Sequence, residues 1–360
     1  MKNINWWKTS IGVEEQNALL SAMNKGSIAM GAVTKSLEKK ISDLLGIPYV
    51  VLCSSGSAAL YMALAALGIG KDDEVLVPNR TYVATANAVL LTGARVSLVD
   101  VGHNDTSIDV DQIEEKIKTN TRAIIPVHLN GRSPNMLKIN EISKKHGLKV
   151  VEDACQSLFS HRENKLLGTY GDVGCFSLGL SKLITTGYGG FCITKAKDTY
   201  NKLIRIRGQG LLDLSKYDIT EFGFNFKISD MQSSIGHIQF DKYISKIDHV
   251  NRIYKTYKKG LSNLNFIDLF EVNIDRGEVP LYAEVYSKRR DKIISGLRKQ
   301  GVETRPLPPS LNNIPHLLSR DLFPNSNFID ENAFILPCGP DQEIENIHHT
   351  ISLIEELRLT

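Results

Sequence analysis

Short, nearly all-apolar runs alternate with stretches of helical spacing through the first two-thirds of the chain. Residues 49–53, 74–77, 96–99, 122–127 and 149–152 read as strands rich in Val, Ile and Leu. Between them, 57–67, 82–91, 110–117 and 136–146 read as helices, the third opened by Asp109 as an N-cap. Strands that are apolar on both faces and separated by helices predict a mostly parallel sheet covered on either side. Two further runs, 173–177 and 190–194, precede an Arg-containing helix near Ile204. After Lys242 the pattern changes to a charged amphipathic stretch (244–264), a strand-like run (279–285) and helices at 288–301 and 343–357. The expected architecture is α/β: a large domain over 1–242, N-terminal segment included, and a smaller α+β domain over 243–360. No Pro/Gly linker or low-complexity tract separates them, so the two are expected to pack together.

Composition narrows the class. Of 360 residues, 42% are hydrophobic and 23% charged, which suits a well-cored globule and excludes a disordered or fibrous chain. Lys and Arg exceed Asp and Glu by only 43 to 40, with no basic block, which argues against a nucleic-acid partner. No apolar run approaches the roughly 18 residues of a membrane-spanning helix. The first ten residues have no apolar signal core, so a cytoplasmic protein without membrane attachment is expected. Cys53, Cys155, Cys175, Cys192 and Cys338 are odd in number and scattered, with no Cys-x-x-Cys pair or His at zinc spacing. They read as small buried hydrophobes in a reducing compartment, and no metal is expected.

The familiar nucleotide loops are missing: there is no G-x-x-x-x-G-K-[ST], and no G-x-G-x-x-G after the first strand. In the latter place Ser54-Ser55-Gly56-Ser57 runs directly into a helix. Alone, that start is either an ordinary N-cap or a site where backbone N–H groups meet an anion. Asp153 closes the strand 149–152, at the edge where open α/β sheets hold ligands. Lys182 stands between the apolar run beginning at Cys175 and the Gly-rich turn Thr185-Thr186-Gly187-Tyr188-Gly189-Gly190. An anion cradle, a carboxylate for a pyridine nitrogen and an amine are together the parts of a pyridoxal 5′-phosphate (PLP) site.

From about Gly26 to Leu357 the chain resembles the DegT/StrS family of PLP-dependent nucleotide-sugar aminotransferases, of fold type I. The landmarks are Ser55-Gly56-Ser57-Ala58-Ala59-Leu60, Asp73 to Pro78, Thr81-Tyr82-Val83-Ala84 and Pro126-Val127-His128-Leu129-Asn130-Gly131. Glu152-Asp153-Ala154-Cys155-Gln156, Phe176-Ser177 with Lys182, Gly223 to Lys227, and Ile335-Leu336-Pro337 follow in order. The resemblance implies that Lys182 holds PLP covalently and then moves the proton between the substrate carbon and the cofactor. It implies that Asp153 pairs with the pyridine N–H, keeping the ring protonated. Tyr82 matches the residue stacked on the ring, and Gln156 the one bonded to its 3′ oxygen. Ser55, Gly56, Ser57 and Ser177 match the phosphate cradle. Asn225 matches a residue that the family supplies to that phosphate from the neighbouring subunit, which implies a homodimer with shared sites.

The pattern departs from the family at several places. Gly56-Ser57 stands for the usual Gly-Thr, Gly179 for a His common before the lysine, Lys227 for an Arg and Gln209 for a common His. The cofactor contacts therefore match better than those to the sugar. The implied activity is transfer of an amino group, from glutamate, onto a nucleotide-linked keto sugar for surface polysaccharide or related glycoconjugates. The turn at Thr185 to Gly190 resembles that of enzymes acting on 4-keto-6-deoxy sugars more than that of enzymes acting on 3-keto sugars, which implies the former, with a 3-keto sugar as the alternative. A PLP-dependent sugar dehydratase of the same fold is a further alternative, against which Lys182 argues, since those enzymes lack the lysine. A non-enzymatic member is a third, and the intact Asp153–Lys182 pair argues against it.

Overall fold

A computed structural model describes residues 3–102, 106–213 and 216–359. The seven strands of its main sheet are β1 (Tyr49–Cys53), β2 (Glu74–Pro78), β3 (Arg95–Val99), β4 (Thr121–Ile124), β5 (Lys149–Asp153), β6 (Val173–Ser177) and β7 (Gly190–Thr194). They lie in the order β1-β7-β6-β5-β4-β2-β3. Only β7 runs antiparallel to its neighbours. The carboxyl ends of β1, β5 and β6 therefore share one edge.

Alternation along each strand feeds two apolar layers. Val51, Val75, Val151 and Cys175 face one layer, with helices α3 (Gly56–Ala66), α4 (Ala84–Leu91) and α6 (Lys197–Arg207) over them. Leu76, Ile124 and Val150 face the other, under α5 (Met136–His146). α3 is apolar nearly all round and correspondingly buried, as a helix enclosed between sheet and neighbours must be. Its N-cap is Ser55, whose hydroxyl oxygen accepts from Ala58 N at 3.0 Å.

Among the described residues, four helices fall outside the sequence-based assignment: α1 (Val13–Asn24), α2 (Ala32–Leu45), α7 (Asp230–Asp241) and α10 (Pro324–Asn332). α7 continues through Lys242 into α8 (Tyr243–Leu261), which leads to a second, four-stranded antiparallel sheet. This sheet has the order Asp268–Leu269 (β8), Ala283–Tyr286 (β9), Ala333–Leu336 (β11), Arg305–Pro306 (β10). Helices α9 (Arg290–Lys299), α10 (Pro324–Asn332) and α11 (Ile344–Glu356) accompany it. The start of the chain reaches this second unit, Ile4 bridging to Val302 and Trp7 to Cys338. One apolar cluster runs from Leu37, Phe176 and Phe191 to Val285, Phe334 and Ile351, so the two sheets share a core.

Two expected elements are corrected. The helix over 110–117 is a 3₁₀ turn, Val110–Gln112, followed by the single turn Ile113–Lys116, although Asp109 does cap it. The strand over 279–285 is confined to Ala283–Tyr286. Pro280 has no N–H to give a ladder. Val279 and Tyr282 give theirs to Ser160 Oγ and Asn130 Oδ1, across the gap between the sheets.

Candidate active site

The register of the sheet assembles the site. Cys53 and Ser177 both pair with Gly190, and Asp153 pairs with Cys175. The Ser54–Gly56 turn, Ser177 and Asp153 thus leave the sheet on one edge. A β-carbon on Gly56 would stand 2.9 Å from both Cys155 Sγ and Ser177 Cβ, so this cradle closes only around a glycine.

Asp153 is 5% exposed, and each of its oxygens has a donor. Thr85 Oγ1, on the first turn of α4, donates to Oδ2 at 2.7 Å, and Cys155 N donates to Oδ1 at 3.1 Å. Thr81 Oγ1 stands 2.8 Å from Thr85 Oγ1. Its neighbour Glu152 turns away and accepts from the N–H groups of Gly168, Tyr170 and Gly171, with His128 Nε2 at 2.8 Å. The adjacent carboxylates therefore divide their work. Glu152 ties loops together beneath the sheet edge, and Asp153 is held at that edge.

Lys182 is half-buried, and among the described residues its amine has no hydrogen-bond or ion-pair partner, only the Tyr282 ring nearby. Cys155, Gln156, Ser177, Lys182 and Leu281 line one narrow cavity. The Tyr282 ring lies 6.0 Å from Lys182 Nζ. Behind the lysine, the buried Lys246 amine donates to Gln239 Oε1 at 2.8 Å and to the Leu183 carbonyl at 3.4 Å. Burial lowers the Lys246 pKa to about 8. The Cys155 thiol is pushed well up, first by burial and then by Asp153, which favours its protonated form.

Gly56, Asp153, Gln156, Ser177 and Lys182 are thus brought together, with Ser55 capping the helix beside them. Gln156 Oε1 accepts from Asn130 N at 3.1 Å. Ser57 is exposed on the first turn of α3. Tyr82 is 56% exposed just ahead of α4, outside the cavity lining. Asn225 is exposed as well, in a segment whose next residue, Phe226, accepts at its carbonyl from Ser54 N at 2.8 Å. Thr85, Thr81, Asn130 and Tyr282 were not singled out from the sequence. Thr81 and Asn130 lie inside recognised motifs, but nothing in the spacing marks their partners.

These residues fit PLP. A helix N-terminus with serine hydroxyls suits a phosphate, a buried carboxylate suits a protonated pyridine, and a lysine amine on the same cavity suits an aldehyde. The bound cofactor supplies an electron sink for the substrate carbon that loses its proton.

The mostly parallel sheet with helices on both faces is the fold of the fold type I, PLP-dependent aminotransferases. The profile of the DegT/DnrJ/EryC1/StrS aminotransferase family matches residues 9–355, and the chain belongs to that family. It is 33% identical to a GDP-perosamine synthase of Caulobacter vibrioides, over 86% of either chain. It is 31% identical to a UDP-N-acetyl-3-dehydro-alpha-D-glucosamine 3-aminotransferase of Acidithiobacillus ferrooxidans, over 92% of this chain and 90% of the relative. The crystal structure of S. venezuelae DesV superposes with a TM-score of 0.94 over 99% of each chain, at 26% identity.

Proposed function

We propose that this aminotransferase moves an amino group from glutamate to C4 of a nucleotide-linked 4-keto-6-deoxy sugar, for surface polysaccharides such as O-antigen or related glycoconjugates. The observation that carries the reading is the one cavity that Lys182 lines together with Gln156, Cys155 and Ser177, the last two of which also close on Gly56. Lys182 holds PLP and shuttles the proton, Asp153 keeps the pyridine N–H, and Gln156 bonds the 3′ oxygen. Tyr82 stacks on the ring. Ser55, Gly56, Ser57 and Ser177 hold the phosphate together with Asn225 of a second copy, in a homodimer. Helix α7 ends and α8 begins at Lys242, which supports dividing the lobes at 242/243.

No helix among the described residues is long and apolar enough to cross a membrane, which is consistent with work on cytoplasmic nucleotide sugars. The GDP-perosamine synthase likeness supports a nucleotide-linked sugar. The likeness to an enzyme named for a 3-dehydro sugar favours a second reading, amination at C3.

A spectrophotometric panel decides between them: the PLP form titrated with UDP-, dTDP- and GDP-linked 4-amino and 3-amino sugars. A 4-amino-6-deoxy sugar on one of these carriers is expected to discharge the visible band. A response confined to 3-amino sugars overturns the C4 assignment, and silence across the panel overturns the nucleotide-sugar reading.

A further inference from the structure

Asn130 adopts φ 53° and ψ 38°, the left-handed region that residues with a β-carbon enter only at a cost. It is 1% exposed, and its polar groups reach across the gap between the two sheets. Side-chain Oδ1 accepts from Tyr282 N at 2.6 Å, and Nδ2 donates to Tyr282 O at 2.9 Å and to Glu284 Oε2 at 3.1 Å. A side-chain amide set against a peptide in this way reproduces both hydrogen bonds of a strand pair. The left-handed turn meanwhile points the Asn130 main-chain N–H at Gln156 Oε1, 3.1 Å away.

On the far side, the Tyr282 hydroxyl donates to the carbonyl of Ser181 at 2.9 Å, one residue before Lys182. Its ring lies 6.0 Å from the Lys182 amine. The turn has no slack, because a β-carbon on Gly131 would fall 2.1 Å from Val279 O. Joining the lobes does not by itself require this arrangement, since Arg132 already pairs with Glu284 beside it. The distinctive consequence is that Gln156 and Lys182, on the same cavity, are tied to one another through Asn130 and Tyr282.

We propose that Asn130 and Tyr282 form a clasp that positions Gln156 and the Lys182 segment for the amino-transfer reaction. Both are positioning residues, and the proposal rests on the reading in which Lys182 holds PLP and Gln156 faces its ring. Two variants of the holoenzyme test it. Tyr282→Phe removes one hydroxyl, and Asn130→Gly removes the side-chain bonds while tolerating the left-handed turn.

The first readout is the pH midpoint of the bound cofactor's visible band, which a purely structural tie would leave in place. Each variant is expected to move it in the same direction by about 0.5 unit or more. The double variant should move it no further than the larger single change, because the two residues act in series. Turnover should fall about tenfold, with KM for sugar and glutamate held within about twofold.

Midpoints within about 0.1 unit of the parent in folded protein, or shifts that simply add, overturn the clasp. If Asn130→Gly does not fold, Tyr282→Phe alone decides by its midpoint and turnover. Borohydride labelling of the unaltered enzyme separates the two levels of the argument. A label on a peptide without Lys182 overturns the site reading and the clasp together, whereas a label on Lys182 with unmoved midpoints overturns the clasp only.

Discussion

The hydroxyl of Thr85 donates a 2.7 Å hydrogen bond to Asp153 Oδ2, joining the first turn of one helix to the last residue of the central strand of the site. Both groups are buried, Thr85 completely. The carboxylate is thereby oriented from a second element before any ligand arrives. Replacing Thr85 by Val keeps the shape and removes the donor. Turnover should fall about tenfold and stability by about 1–2 kcal/mol, since a buried acceptor loses one of its partners. Steady-state kinetics and a melting curve check this, and unchanged turnover would show that Asp153 needs no such support.

Gly56→Ala tests the cradle. The added methyl would stand 2.9 Å from Cys155 Sγ and Ser177 Cβ, so one of the three must move. Overpacking of this kind typically costs about 1–3 kcal/mol. PLP affinity, followed by fluorescence titration, should drop at least about tenfold if that strain falls on the cofactor cradle. Combining the change with Cys155→Ala should recover part of the loss, and no recovery would place the strain elsewhere.

The pH dependence of stability should carry a signature of Glu15, which is 2% exposed. Burial raises its pKa, but hydrogen bonds from Lys242, Gly12 N–H and Gln239 outweigh this and lower it from 4.5 to about 2. The folded value lies below the unfolded one, so the contribution is complete above about pH 4.5 and is lost as pH falls towards about 2. Glu15→Gln should therefore destabilise by about 1.5–3 kcal/mol at pH 7, the range for hydrogen bonds to a charged group. Near pH 2 the two proteins should converge. Denaturant titrations across this range check it, and a constant difference would remove Glu15 as the cause.

The proposed shared site gives a complementation test. A Lys182→Ala chain and an Asn225→Asp chain are each expected to be inactive, the second because a carboxylate repels the phosphate. Random mixing makes half the dimers mixed, each with one intact site, so activity should return to about a quarter of wild type. No recovery, with mixed dimers verified by mass spectrometry, would place Asn225 in the site of its own chain.

Much of the main sheet is legible from alternation alone. The runs at 49–53, 173–177 and 190–194 match β1, β6 and β7 end to end, because burial on both faces leaves few polar residues to blur the pattern. α1 and α7 are harder to read: in both, apolar and polar residues mix around the helix. The stretch 279–282 looks like a strand because it is apolar and extended, yet its hydrogen bonds go to Ser160 and Asn130. Period-two patterning reports burial, and says nothing of which partner completes the backbone.

By itself, the sequence determined the family: a lysine before a Gly-rich turn, an Asp at a strand end and a Ser-Gly-Ser helix start stand in the order of its landmarks. These are local features, set by neighbours in the chain. The tertiary structure decided how the groups are held. Thr85 lies 68 residues from Asp153, and Asn130 lies 152 from Tyr282. Such pairs arise where the sheet order brings distant loops to one edge, and a hydrogen bond between two side chains leaves no periodic trace along the chain. The amine, the carboxylate and the cradle could thus be read one residue at a time, whereas their mutual orientation exists only once the two sheets share a core.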